Sequence, residues 1–86
     1  MMVDTPGASE AFVLTELDTC ELYISLAQGT SDAAARERRI GMAQKAYESV
    51  MRYSPRINFS DAEREELQKR MAAAGKQLHD FGAARR

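Results

Sequence analysis

Tryptophan is absent from this 86-residue chain, cysteine occurs once and proline twice. The lone cysteine, Cys20, excludes an intramolecular disulfide. With a single histidine beside it, the count also excludes four-cysteine and cysteine–histidine zinc sites. No apolar run approaches the roughly 18 residues of a membrane span, so no membrane partner is expected. The start of the chain lacks the basic region and continuous apolar core of a signal peptide, which makes the cytoplasm the expected location. Neither a Gly-x-Ser-x-Gly turn nor a phosphate-binding glycine loop occurs. Positive charge is missing from the first 35 residues. All twelve Lys and Arg lie at or after Arg36, whereas Asp4, Glu10, Glu16, Asp18, Glu21 and Asp32 precede it.

What is present reads as one helical domain spanning residues 1–86. The chain is 44% hydrophobic and 29% charged with a net charge of −1, and its apolar residues are periodic, so disorder is not expected. A first helix is expected over about residues 9–28, opened by Ser9 or by Thr5-Pro6. Its stripe is Val13, Leu17, Cys20, Ile24 and Ala27, with Phe12 and Tyr23 beside it. Gly29 would stop it in a left-handed conformation. A second helix is expected from Thr30 or Ser31 to about residue 53. Its stripe is Ile40, Ala43, Tyr47 and Val50, with Ala46 and Met51 at the edges, and Pro55 ends it.

The apolar linker after that helix places Ile57 and Phe59 as a lid on one end of the core. Ser60 and Glu63 fit a capping box that opens a third helix over about residues 61–81, with Gly82 as its stop. Leu67, Met71, Ala74, Leu78 and Phe81 form its stripe. Gly75, inside that helix, costs about 1 kcal/mol against alanine unless it permits a close helix approach. Helices of about 20 residues joined by short connections predict an all-α, antiparallel up-down-up three-helix bundle. Residues 1–8 and 83–86 are expected to be flexible ends.

In the second helix, Ala43, Tyr47, Val50 and Pro55 follow one another at the spacings of a small residue, an aromatic, an aliphatic and a terminating proline. This resembles the second helix of a tetratricopeptide repeat. The preceding half differs, with Ala27, Thr30, Ser31 and Ala34 where the large, glycine and tyrosine signature would fall. The resemblance implies a protein-interaction module and supplies no ligand residues.

No constellation for catalysis is found, and no cofactor or metal is expected. His79 stands alone, because Asp80 projects about 100° from it on a helix. Cys20 lies on an apolar stripe, where cysteine packs as a small hydrophobe. Glu63, Glu65 and Glu66 suit the start of a helix, and Glu66 stands four before Arg70 as a helix-stabilising pair.

Two surfaces remain. Arg38, Lys45 and Arg52 form one line on the second helix, opposite its apolar stripe. Leu14, Leu22 and Leu26 lie off the stripe of the first helix, and Met42 lies near the basic line. Leu22 and Leu26 face either a second neighbouring helix or a partner chain. The function expected is a non-catalytic interaction module that binds another protein or a second copy of itself, a homodimer, through Leu14, Leu22, Leu26, Arg38, Met42, Lys45 and Arg52. The alternative is a nucleic-acid-binding regulator that uses the basic line with Arg56. A pI of about 5.8 and the acidic first helix weigh against it.

Overall fold

The computed structural model describes residues 9–84. Three helices follow one another: α1 (Glu10–Gln28), α2 (Ala33–Tyr53) and α3 (Asp61–Ala84), with a 3-10 turn at Ser54–Arg56. No strand occurs among the described residues, and the architecture is an all-α three-helix bundle.

Contacts fix the directions of the helices. The start of α1 meets the end of α2, where the Phe12 and Tyr53 rings pack edge to face with centroids 5.6 Å apart. The end of α1 meets the start of α2, where Arg39 Nη1 donates to the Leu26 carbonyl at 3.3 Å. These helices are therefore antiparallel, and α3 runs beside α1 in the same direction. Packing of α1 on α2 is much more extensive than that of α3 on either.

Local chemistry sets each boundary. Ser9 caps α1, its hydroxyl accepting the Phe12 N–H at 3.0 Å. The alternative start at Thr5-Pro6 lies outside the described residues. Gly29 is right-handed (φ −89°, ψ −1°), not left-handed as expected, and its N–H closes the last turn onto the Ser25 carbonyl. The connection therefore does not need the positive φ that favours glycine.

Asp32 caps α2, not Thr30 or Ser31, with Oδ2 accepting the Ala35 N–H at 3.2 Å. Thr30 shapes the turn before it. The Thr30 hydroxyl accepts the Asp32 N–H, and its carbonyl accepts Arg36 Nη2 at 2.9 Å. The capping box of α3 forms in both directions, Glu63 N–H to Ser60 Oγ at 3.1 Å and Ser60 N–H to Glu63 Oε1 at 2.9 Å. Gly82 does not stop α3, which continues to Ala84. Alanines follow it, and strong helix formers carry a helix through one glycine. Residues 83 and 84 are thus helical, while 1–8 and 85–86 lie outside the described residues.

The core has two ends of different character. One joins Cys20, Ile24 and Ala27 of α1, Ile40, Ala43 and Ala46 of α2, and Ala74 and Leu78 of α3. Its small side chains let α1 and α2 approach closely. The other joins Val13, Leu17, Val50 and Leu67 beneath Ile57 and Phe59, which are buried as the expected lid. Every residue of the α1 stripe is buried. On α2, Ala46 is buried, Tyr47 is only half-buried, and Met51 is exposed. Of the residues that carry the repeat-like pattern, Ala43 and Val50 are fully buried, Tyr47 packs on α3 at Gly75, and Pro55 is exposed.

Candidate partner-binding surface

Burial of Ile40, Ala43, Ala46 and Val50 fixes the rotation of α2 about its own axis. That rotation sets Arg38, Met42, Lys45, Ser49 and Arg52 along the outer side of the helix, at spacings of 4, 3, 4 and 3. Arg38, Lys45 and Arg52 are exposed, and Met42 is 45% exposed. Tyr23 of α1 lies across from Met42. Together Tyr23, Arg38, Arg39, Gly41, Met42 and Lys45 line an open groove of about 620 Å³ between the two helices. Leu26 borders this groove through its bond to Arg39 and is 40% exposed, and Leu22 is 55% exposed. Neither leucine turns into the bundle toward a second neighbour.

The structure thus brings together Leu26, Arg38, Met42 and Lys45, with Leu22 further round α1. Arg52 extends the cationic line and shares a smaller groove with Lys45, Glu48 and Ser49. Leu14 belongs elsewhere. It lies on the α3 side of α1, in a groove of about 340 Å³ with Phe59, Ala62, Glu63, Glu66, Leu67 and Arg70.

Two acids of α1 meet a base of α3, a link that the sequence does not announce. Arg70 clamps Glu21 with two hydrogen bonds, Nε to Oε2 at 2.9 Å and Nη2 to Oε1, and reaches Asp18 Oδ1 at 2.7 Å. The hydrogen bond to Glu21 raises the Arg70 pKa above its ordinary value. Burial opposes that rise, and Asp18 adds to it. The expected Glu66–Arg70 pair does not form, and Glu66 instead stands 4.0 Å from Lys69. The one sequence signal for the link was a pair of acids three apart, Asp18 and Glu21, on a helix without bases.

The remaining candidates are placed as follows. His79 lines an open groove of about 440 Å³ between α2 and α3 with Gln44, Tyr47, Glu48, Gly75 and Leu78. Its neighbour Asp80 pairs with Lys76 at 3.3 Å. Among the described residues no three His, Cys, Asp or Glu side chains group to hold a metal ion. Burial pushes the Cys20 thiol up to about 11, with the charge of Glu21 adding to the effect, so it is protonated at neutral pH. No helix among the described residues is long and apolar enough to cross a membrane.

Comparison with protein-family models, with curated proteins and with solved structures finds no match to this chain.

Proposed function

We propose that this protein is a non-catalytic interaction module that engages another protein through the outer face of the α1–α2 hairpin. One observation carries the reading. Leu26 and Met42 stay 40% and 45% exposed beside the Tyr23 groove, with Leu22, 55% exposed, further round α1, while the stripes of the same two helices are buried apart from half-buried Tyr47. Single exposed apolar side chains are ordinary, but a group of them around a groove marks a docking surface. The tetratricopeptide-like pattern of α2 agrees with an interaction role.

A photocrosslinking amino acid placed at Met42 in the native cell tests this. A discrete protein adduct is expected from Met42 and none from the exposed α3 position Gln68. No adduct from Met42 would remove the reading. Cell fractionation should find the protein in the cytoplasm; recovery in a membrane or secreted fraction would count against that part.

The exposed line of Arg38, Lys45 and Arg52 supports a second reading, nucleic-acid binding. Its ends lie about 21 Å apart along α2, enough to follow several phosphates. A gel shift with duplex and single-stranded DNA at low salt tests it, and absence of binding at micromolar protein would remove it.

A further inference from the structure

The bases among the described residues divide into two sets. Arg36 is tied to the Thr30 carbonyl, Arg39 to the Leu26 carbonyl and Arg64 to the Ile57 carbonyl. Arg70 holds Asp18 and Glu21, Lys69 lies by Glu66, and Lys76 pairs with Asp80. Arg56 stacks over the Tyr53 ring at 5.7 Å. Arg38, Lys45 and Arg52 make no hydrogen bond, ion pair or ring contact among the described residues. Among the described residues the uncommitted bases are thus the three that share one line, beside the apolar groove. Glu48 is nearby, but it does not pair with Lys45 or Arg52.

We propose that the groove receives an acidic amphipathic helix of another protein, which packs as a fourth helix against α1 and α2. This rests on the interaction reading above and specifies the partner's chemistry. Apolar side chains of that helix would lie on Tyr23, Leu26 and Met42. Carboxylates repeated every seven residues on its flank would meet Arg38, Lys45 and Arg52. The 4-3 spacing along α2 is that of a helix-on-helix seam, and a cationic edge beside an apolar floor selects an acidic, amphipathic occupant.

A second copy fits less well. The outward face of α1 carries Ala11, Thr15, Asp18, Leu22, Ser25 and Leu26, with half-buried Glu16 on the Tyr23 side, and Asp18 is already held by Arg70. A two-fold contact through this face would offer the three bases of the line a single α1 carboxylate, that of Glu16, and would bring like charges near one another. Nucleic acid accounts for the bases but leaves Tyr23, Leu26 and Met42 without a role.

The test uses the full chain, isotope-labelled for NMR, with three synthetic helical peptides of about 15 residues. All carry the same leucine seam, and the flanking positions are Glu, Gln or Lys. A single-stranded oligonucleotide of similar length is the fourth probe. The Glu peptide is expected to bind at least tenfold more tightly than the Gln peptide and to weaken as salt rises. Its shifts should centre on Tyr23, Met42 and Lys45. The variant with both Arg38→Glu and Lys45→Glu should lose at least tenfold in affinity while melting as the parent does, since both side chains are exposed.

Equal binding of the Glu and Gln peptides would overturn the acidic partner while leaving a docking surface. No peptide binding together with no crosslink from Met42 would overturn the interaction reading itself. Tighter binding of the oligonucleotide would overturn the proposal in favour of nucleic acid. A solution mass that grows with concentration would overturn it in favour of a second copy, with the acidic first turns of α3 as the matching surface.

Discussion

Gly75 stands where α3 meets the ring of Tyr47. A β-carbon added there would lie 2.7 Å from the Tyr47 hydroxyl oxygen and 3.3 Å from the ring carbon that bears it. Alanine would gain about 1 kcal/mol of helix propensity. Displacing a half-buried tyrosine costs more, since overpacking costs about 1–3 kcal/mol. Gly75→Ala should therefore destabilise the protein by roughly 1 kcal/mol. In a Tyr47→Phe background, which removes the nearest atom, the same change should become neutral or stabilising. Chemical denaturation of the four proteins of this cycle checks the sign, and an equal cost in both backgrounds would contradict the contact.

Cys20 supplies a pH effect at the same scale. Its thiol ionises near 9.0 when unhindered and near 11 in the folded chain. The unfolded state therefore loses its proton first. The contribution is intact below about pH 9 and is lost as pH rises toward 11. Melting curves of the parent and of Cys20→Ala should converge over that interval, and parallel curves would refute the burial argument. Cys20 should also react with a thiol reagent far more slowly in the folded protein than in denaturant.

Among the elements, α3 is the least firmly attached, and Arg70 is its polar link to α1. The Arg70 side chain is 28% exposed and that of Glu21 40%, so solvent screens the pair and its worth is about 1 kcal/mol. Arg70→Ala should cost about that much, and less at high salt. Glu21→Gln should cost more than Asp18→Asn, because Glu21 accepts two of the three bonds and Asp18 is 70% exposed. A denaturation series at two salt concentrations separates these outcomes.

Elements whose signal is local could be read from the sequence. The stripe of α1, the capping box of Ser60 and Glu63, and the lid of Ile57 and Phe59 each depend on residues within a few positions, or on burial that periodicity reports. The partner of Arg70 could not be read, because it depends on how α1 and α3 are rotated and staggered. An i,i+4 pair with Glu66 was the local alternative, and a bidentate clamp across helices replaced it. Gly29 and Gly82 were misread for a related reason. Glycine permits a left-handed stop, but the next residues decide whether one is made, Thr30 and Asp32 in one case and the pair Ala83 and Ala84 in the other. At the candidate surface, the line of Arg38, Lys45 and Arg52 was legible. Which leucines joined it was not, and Leu14 fell on the opposite side of α1.

For the whole molecule, the division of charge along the chain resolves unevenly. Two of the α1 acids are met by α3, and the outer bases of α2 are met by none of the described residues. The fold measures 46 × 26 × 18 Å and leaves one face of its best-packed helix pair bare, with apolar side chains beside unpaired cations. The central claim is that this charge is held in reserve for a different protein. The most direct single measurement is solution mass by light scattering after size exclusion, at low and at high salt. The account predicts a monomer near 9.6 kDa in both. A dimer that dissociates as salt rises would contradict it, because the basic line would then have found its acids in a second copy of the same chain.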